Sequence, residues 1–377
     1  MQMLPVEQCI EALIDYRGKT PKKTESGVRL VTAKVIKSGR ITNKSFEYIA
    51  EEDYDSWMRR GLPIKGDVLV TTEAPLGEVA QIECNEKIAL AQRVILLRAN
   101  PEIMDQDYLL FAIQSDLVQG GLNARATGTT VAGIKQSELR KVLLPCPDLK
   151  KQKVIAGILK TYDNLIENNN RRISILEDIA ESLYREWFVK FRFPGHEGCQ
   201  FKDSALGRIP EGWVVKTLKD VLELAYGKAL KKEVRKGGNV PVYGSGGLGG
   251  WHDELLVQGP SIIVGRKGNV GSIFWVEEDC WPIDTVFYVK SDLSKSYLYY
   301  NLLFQTFHNS DAAVPGLNRE SAYSNKLIVP SGSVIDNFDE LIAPVFGQLK
   351  LLRKKNTILK EQRDMLLPKL ISGNIKV

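Results

Sequence analysis

Two long heptad patterns of apolar residues constrain the fold of this 377-residue chain more than any other feature of its sequence. Within each pattern the residues recur in alternating steps of four and three, and charged residues occupy the remaining faces. The first pattern comprises Ile155, Leu159, Tyr162, Ile166, Asn169, Ile173, Leu176, Ala180, Leu183 and Trp187. The second comprises Phe338, Ile342, Val345, Leu349, Leu352, Asn356, Leu359, Arg363, Leu366 and Leu370. Each pattern predicts an α-helix of about 40 residues, roughly 60 Å long.

Helices with such stripes can bury them against each other, and the polar positions favour this arrangement. Asn169, Asn356 and Arg363 lie on the stripes, where a helix packed only on an apolar core would carry apolar residues. For an antiparallel pair with matched ends, the predicted partners are Ile155 and Leu370, Leu159 and Leu366, Ile166 and Leu359, Asn169 and Asn356, and Tyr162 and Arg363. Facing asparagine amides would set the register, and the tyrosine ring would contact the guanidinium. The alternative is that each helix packs only on the core of its own domain.

The sequence that precedes each helix is also duplicated. Residues 131–134 (VAGI) match 314–317 (VPGL), and the strand candidate 66–72 resembles 259–265. The sequence therefore predicts two similar α/β domains, each followed by a long helix, in an α+β fold with approximate two-fold symmetry and an antiparallel coiled coil. The predicted parts are a domain at 1–147, a helix at 148–190, a linker and second domain at 191–333, and a helix at 334–377.

Four segments around the first helix resemble one protein family. They are 143–155 (LLPCPDLKKQKVI), 166–172 (IENNNRR), 180–191 (AESLYREWFVKF) and 204–213 (SALGRIPEGW). Together they resemble the DNA-sequence specificity subunit of type I restriction–modification systems, and the resemblance extends over essentially the whole chain. It implies two target recognition domains joined by two spacer helices.

The resemblance also implies a function. Each recognition domain would read one half of a bipartite double-stranded DNA site, and the helices would set the gap and dock two modification (methyltransferase) subunits. Restriction subunits would join the same complex. S-adenosylmethionine, ATP and Mg²⁺ are expected on these partner subunits, and no cofactor on this chain. Because the two domains differ in sequence, the target would be asymmetric. The alternative is a standalone two-headed DNA-binding scaffold without methyltransferase partners.

Motif searches agree with a subunit that has no catalytic residues. The sequence has no Asp/Asn-Pro-Pro-Tyr/Phe run for adenine methylation and no GxxxxGK[ST] loop for ATP hydrolysis. Residues 244–249 (GSGGLG) match GxGxxG, but Pro260 follows too soon for the helix that a dinucleotide site requires. A glycine-rich loop close to a ligand is predicted instead.

Cysteine and histidine spacing predicts no metal site. The five cysteines lie far apart without a CxxC pair, and His196, His252 and His308 lack the spacing of metal ligands. The N-terminus lacks the pattern of a secretory signal, and no apolar stretch is long enough to span a bilayer. We therefore expect a cytoplasmic protein.

Candidate DNA contacts are local, because 51 basic residues against 46 acidic ones give a formal net charge of only +5. A basic stretch follows Tyr16 in the first domain and Tyr226 in the second, at corresponding places. The predicted contacts of the first domain are Arg17, Lys19, Lys22, Lys23, Lys34, Lys37, Arg40, Thr71, Thr72, Arg93 and Thr129. Those of the second are Lys228, Lys231, Lys232, Arg235, Lys236, Tyr243, Ser245, Arg266, Lys267, Asn269, Asn318 and Arg319. The alternative for any one of them is a solvated charged loop.

Overall fold

A computed structural model describes residues 2–16, 20–42, 46–128, 130–307 and 316–377. The chain divides into two compact units, one of Met1–Asn168 with Lys355–Val377 and one of Asn169–Lys354. This division differs from the predicted series of domains and helices, since each unit contains one domain and half of each long helix. Among the described residues, no helix is long and apolar enough to cross a membrane.

The first unit begins with an α/β domain. Its strands are β1 (Met3–Pro5), β2 (Ile10–Asp15), β3 (Val28–Val31), β4 (Ile36–Lys37), β5 (Arg40–Ile41), β6 (Glu47–Ile49), β7 (Val68–Thr72), β8 (Leu76–Gln81), β9 (Ile88–Leu90), β10 (Val94–Ala99) and β11 (Leu143–Pro145). Its helices are α1 (Val6–Cys9), α2 (Tyr54–Trp57), α3 (Gln106–Gln114), α4 (Asp116–Ala124) and α5 (Gln136–Leu139), and the long helix α6 (Leu149–Tyr184) follows.

The central sheet of this domain is antiparallel, with strand order β2-β10-β7-β8. Strand β7 is buried on both faces because its residues alternate between two apolar cores. Val68 and Val70 belong to one buried cluster, together with residues of α3, whereas Leu69 belongs to the other. A three-stranded sheet, β6-β3-β9, lies with the second cluster.

The second domain contains β12 (Phe201–Ser204), β13 (Gly207–Pro210), β14 (Val214–Thr217), β15 (Glu223–Tyr226), β16 (Val240–Gly244), β17 (Gly247–His252), β18 (Ser261–Gly265), β19 (Ile273–Val276), β20 (Trp281–Pro282), β21 (Val286–Lys290) and β22 (Lys326–Val329). Its helices are α7 (Leu218–Val221), α8 (Lys295–Leu303) and α9 (Arg319–Tyr323), and the chain ends with α10 (Gly332–Ile371).

The second domain repeats the topology of the first. Its four-stranded sheet has the order β15-β21-β18-β19, and its three-stranded sheet has the order β17-β16-β20. Strand β18 therefore occupies the position of β7, as the similarity of their sequences predicts. The pairs β1-β11 and β14-β22 also correspond. The predicted duplication of an α/β domain is confirmed.

Both long helices bury the predicted heptad positions. In the first unit, Ile155, Leu159 and Leu370 share one buried cluster, and Leu366 packs against it. In the second unit, Ile173, Leu176 and Leu183 of α6 pack on a cluster that contains Phe338, Ile342 and Leu349 of α10. The halves of α6 and α10 within each unit therefore pack on each other as well as on the domain.

The direction of the two helices follows from polar contacts within each unit. In the first unit, Asp163 contacts Arg363, whereas the more N-terminal Ile155 lies in a cluster with the more C-terminal Leu370. In the second unit, Glu177 accepts from Arg353 at 2.6 Å, and Trp187 lies 5.9 Å from the Phe338 ring. Residues further along α6 contact residues earlier in α10. The two helices therefore pair antiparallel in both units, as predicted.

Candidate nucleic-acid interface

A set of backbone hydrogen bonds at the C-terminal end of β7 in the first domain recurs at the end of β18 in the second. In the first domain, the Thr72 amide donates to the Arg93 carbonyl at 3.0 Å, and the Ile134 amide donates to the Thr72 carbonyl at 2.9 Å. We call Thr72, Arg93 and Ile134 the strand-end junction of the first domain. It joins three segments that are far apart in the sequence.

The second domain has the same junction, made by Arg266, Thr285 and Leu317. The Arg266 amide donates to the Thr285 carbonyl at 2.9 Å, and the Leu317 amide donates to the Arg266 carbonyl at 2.7 Å. Arg266 is therefore the structural equivalent of Thr72. The isolated bridges Glu73–Gly133 and Lys267–Gly316 extend the equivalence by one residue.

Thr71 and Thr72 cannot contact DNA through their side chains, so their prediction as contacts is wrong. Thr71 is 0% exposed and Thr72 is 2% exposed. The Thr71 hydroxyl oxygen accepts a hydrogen bond from the Glu78 amide at 2.9 Å. Both residues end β7, a central strand that is covered on both faces, which the sequence pattern did not reveal.

The polar surface at the first junction is carried by the residues around Thr72. Arg93 forms an ion pair with Glu73 at 2.8 Å, and the two side chains are 51% and 40% exposed. A concave pocket of about 360 Å³ includes these two residues together with Gln92, Thr127 and Lys135. The pocket therefore offers a carboxylate, a guanidinium and an amide at one place.

The second junction presents a guanidinium held in a fixed orientation. The Nε and Nη2 atoms of Arg266 donate to the Asp284 carbonyl at 3.2 and 2.9 Å. The guanidinium carbon lies 5.2 Å from the centre of the Tyr226 ring and 5.8 Å from that of Phe287. Lys267 and Asn269, in the same loop, are exposed.

Asn318 and Arg319 lie beside this site with different roles. The Asn318 side-chain oxygen caps α9 by accepting from the Glu320 and Ser321 amides at 2.9 and 3.3 Å. The Arg319 guanidinium lies 5.0 Å from the Tyr226 ring centre. Two arginines therefore contact one exposed ring, since Tyr226 is 51% exposed.

The glycine-rich segment 244–249 forms a tight β-hairpin between β16 and β17. Gly244 pairs with Gly247, which has a φ of 93° that favours glycine. The dinucleotide interpretation is excluded because no helix follows the motif. Tyr243 is half-buried, with its ring 6.2 Å from Phe274, and burial raises the pKa of its phenol. The Ser245 carbonyl accepts from Ser272 at 2.8 Å.

Arg235 and Arg40 use their guanidinium groups within the protein. Arg235 donates to the Gly249 and Leu230 carbonyls and so attaches its loop to the hairpin. Arg40 forms ion pairs with Glu83 at 3.3 Å and Glu167 at 3.6 Å. Arg40 also donates to a backbone carbonyl of α6. These contacts give both residues a structural role, and their role as DNA contacts stays a prediction.

The other predicted basic residues lie on the surface. Lys22, Lys34, Lys37, Lys228, Lys231 and Lys232 are exposed. Lys23 pairs with Glu47 at 2.8 Å, and Lys236 lies 3.6 Å from Asp253. Arg17, Lys19 and Thr129 lie outside the described residues, so their role stays a prediction.

The two tyrosines that precede the basic stretches differ in environment. Tyr16 is 5% exposed, stacks on Trp57 and donates to the Gly61 carbonyl at 2.7 Å. Tyr226 is half exposed between the two arginines. The same sequence pattern therefore supplies a core residue in one domain and a surface residue in the other.

Comparison with known proteins assigns the family. A family model described as the type I restriction modification DNA specificity domain matches residues 12–178 and 210–343. The chain belongs to this family. Each of the two ranges that match the DNA specificity domain contains one strand-end junction.

Individual relatives agree with this family. The type I restriction enzyme MjaIX specificity subunit of Methanocaldococcus jannaschii is 27% identical over 341 residues, which cover 83% of this chain and 78% of that protein. The HindI specificity subunit of Haemophilus influenzae is 20% identical over 430 residues, which cover 90% and 94%. The crystal structure of a type I restriction–modification S subunit from M. genitalium has a TM-score of 0.59 at 18% identity, over 98% and 95% of the chains, and so shares the fold.

In this DNA specificity family member, the polar seam residues of the spacer helices are buried. Asn169 is 8% exposed and Asn356 is 6% exposed. Whether their amides bond to each other stays a prediction. Arg363 does not form the predicted cation–π contact, because its guanidinium donates to Asp163, the residue after Tyr162.

The predicted contacts do not include two residues that hold Arg266 at the second junction. Asp284 supplies the carbonyl that orients Arg266, and Tyr226 supplies the ring. The sequence repeat could have indicated Asp284, because residues 283–285 follow β20 in the second domain as residues 91–93 follow β9 in the first. His252, Asp253 and Glu254 also lie together, with ligand atoms within 4.8 Å of one another, and the Lys236 ammonium lies 3.6 Å from Asp253.

Proposed function

We propose that this chain is the sequence-specific DNA-recognition subunit of a type I restriction–modification complex. Each domain reads one half of a bipartite double-stranded DNA site. The strand-end junction carries this proposal. The same backbone arrangement occurs in both domains, yet it presents Glu73 with Arg93 in one and Arg266 with Lys267 in the other.

The duplicated junction supports two reading heads with different targets. A guanidinium favours a guanine edge or a phosphate, whereas a carboxylate favours a cytosine amino group. Because the first junction combines a carboxylate with a guanidinium and the second combines two cations, the two half-sites differ. The target is therefore asymmetric.

Exposed cations of the second domain supply binding that does not depend on base sequence. Lys231, Lys232 and Lys267 are exposed, and a mobile ammonium neutralises phosphates without reading bases. Such contacts position a duplex but do not select a sequence. Affinity should therefore fall with rising salt, more steeply than the modest net charge suggests.

Exposed apolar residues on the long helices form the surface for modification subunits. Large apolar side chains in water favour association with a partner. Ile175 of α6 is 56% exposed, and Ile358 of α10, at the equivalent position of the repeat, is 43% exposed. Leu341 and Leu351 of α10 are also half exposed. The recurrence of an exposed isoleucine at equivalent positions, Ile175 and Ile358, suits two copies of the same methyltransferase partner.

Catalysis belongs to the partners in this proposal. S-adenosylmethionine is held by the modification subunits, and ATP and Mg²⁺ are held by restriction subunits that join the complex. This chain has no catalytic residue and selects the DNA that the others act on. The complex functions in the cytoplasm, where its DNA is accessible.

The proposal is tested by co-expressing the chain with its modification subunits and mapping the methylated adenines of the host genome. We expect one asymmetric bipartite motif, with two short specified segments separated by a gap of constant length. Omitting this chain should abolish the motif. A chain that binds its DNA site tightly by itself and ignores modification subunits would contradict the proposal and support the standalone scaffold.

A further inference from the structure

Resting on the proposed function, we infer that Arg266 is the residue with which the second domain reads a guanine in the major groove. The reading group is the free edge of its guanidinium, formed by Nη1 and Nη2. The inference follows from how the protein occupies the other edge. It assigns one base type to one half-site.

With one edge of the Arg266 guanidinium bonded to the protein, the end of the group keeps the donor geometry that guanine requires. Its Nε and Nη2 atoms donate side by side to the Asp284 carbonyl, at 3.2 and 2.9 Å. A guanidinium has five N–H donors in a planar fork, so the end of the fork still carries two parallel donors. Guanine presents two adjacent acceptors, O6 and N7, in the major groove, and arginine binds both at once.

The orientation of Arg266 is set before DNA binds. The Tyr226 and Phe287 rings lie 5.2 and 5.8 Å from the guanidinium carbon. Its own amide and carbonyl are both bonded at the junction, to Thr285 and Leu317. Because little side-chain freedom remains to be lost on binding, the fork is preorganised for a base edge.

The charge around Arg266 is not neutralised by the protein. Among the residues that the structure describes, no carboxylate forms an ion pair with Arg266, in contrast to Arg93 with Glu73 and Arg40 with Glu83. Arg319 brings a second guanidinium to the same Tyr226 ring, at 5.0 Å. Two guanidinium groups beside one exposed ring favour a ligand with hydrogen-bond acceptors, and guanine offers O6 and N7 at its major-groove edge.

A phosphate contact would not need this arrangement. Charge alone neutralises a phosphate, and the exposed Lys231, Lys232 and Lys267 can do so from flexible stems. Fixing one edge of a guanidinium to a carbonyl restricts the direction of the other edge, and phosphate neutralisation by the lysines needs no such restriction. The geometry therefore favours base reading by Arg266.

The first domain lacks this reader. Its equivalent residue is Thr72, which is 2% exposed, and the neighbouring Arg93 is paired with Glu73. A guanine requirement set by Arg266 should therefore appear in one half-site only. Changing Arg266 should leave the other half-site and the gap as they are.

The experiment uses the complete complex of this chain with its modification subunits, with genome-wide methylation as the readout. Wild type, Arg266→Ala and Arg266→Lys are compared, with Lys232→Ala as a matched control for loss of one cation in the same domain. We expect both Arg266 variants to lose about ten-fold or more of the preference for guanine at one position of one half-site. Arg266→Lys keeps the charge but cannot bond to the Asp284 carbonyl and two base acceptors in the same planar geometry. Lys232→Ala should lower methylation equally at all sites.

Several outcomes would overturn the inference. One is an equal loss of methylation at all sites for the Arg266 variants, with DNA affinity that depends less on salt, because this indicates a phosphate contact. The others are a motif whose base preferences are unchanged, and a motif that loses its preference for a base other than guanine. Retained assembly with modification subunits shows that a variant is folded. If the wild-type complex produces no bipartite motif, the proposed function fails. If the motif exists and Arg266→Ala leaves its guanine preference unchanged, only this inference fails.

Discussion

The guanidinium of Arg363 donates to the carboxylate of Asp163 over 2.6 Å, although the two residues lie 200 positions apart in the chain. Their side chains are only 16% and 12% exposed. The ion pair joins α10 to α6 within the first unit, at the level where the heptad pattern places Arg363 on the seam. A charged residue on the seam is thus compensated by a partner beside it.

Removing one member of this pair should destabilise the first unit. Arg363→Met leaves the Asp163 carboxylate largely buried without its cation, which costs about 3–5 kcal/mol. The double variant Arg363→Met with Asp163→Leu should recover most of the loss, because an apolar pair needs no compensation. Urea unfolding of the three proteins measures the effect. A double variant less stable than Arg363→Met would contradict this role.

Thr71→Val should affect stability and leave DNA recognition unchanged. Valine keeps the shape of the side chain but leaves the half-buried Glu78 amide without its 2.9 Å acceptor, at a cost of about 1 kcal/mol. Thermal unfolding measures this loss, and DNA binding by the complex measures recognition. Lys34→Ala, at an exposed cation of the same domain, is the control: it should weaken DNA binding and leave thermal stability unchanged. Weaker DNA binding by folded Thr71→Val would restore Thr71 as a contact.

Charged substitutions on the exposed helix faces should remove modification subunits one at a time. Ile175→Glu and Ile358→Glu place a carboxylate where an apolar partner surface would cover it, which is unfavourable. Native mass spectrometry should show two modification subunits on the wild type, one on each single variant and none on the double variant. The exposed Asn168→Glu and Gln362→Glu serve as controls for added charge. Two subunits on every variant would exclude this surface.

A heptad inserted into each long helix should lengthen the gap between the half-sites. Seven residues add about 10 Å of helix, close to three base pairs of DNA. Insertion after Ile166 in α6 and before Leu359 in α10 keeps the apolar seam in phase. Methylation mapping should show both half-sites unchanged. A gap of unaltered length would show that the helices do not set the spacing.

Thiol reactivity should separate the cysteines by burial. Burial, with the neighbouring Cys146, raises the pKa of the Cys9 thiol to about 12, from 9.0. Since only the thiolate reacts, Cys9 should stay unmodified by iodoacetamide at pH 8, while the exposed Cys84 reacts first. The protonated Cys9 favours the folded state fully below pH 9, and this contribution is lost as the pH rises to 12. Mass spectrometry of the modified peptides checks the order, and early labelling of Cys9 would contradict it.

The heptad spacing of apolar residues and the duplication of the domain sequence determined the architecture. The heptad spacing of Ile155 and Leu159, and of Leu366 and Leu370, predicted two helices with one buried face each, because a stripe at that spacing lies on one face only in a helix. The duplication of 66–72 at 259–265 required two strands in equivalent places. Both features are local or self-similar, so a single sequence displays them.

Only the tertiary structure decided which residues can meet DNA. Thr71 and Thr72 are the polar end of the strand candidate 66–72 in the sequence, yet β7 is a central strand, and both residues are buried. Tyr16 and Tyr226 follow the same pattern, but Trp57 and Gly61 cover the first, whereas two arginines flank the second. The partners that bury a side chain or orient it, such as Asp284 for Arg266, come from distant segments. Their identity depends on how the sheet is assembled, which no local pattern records.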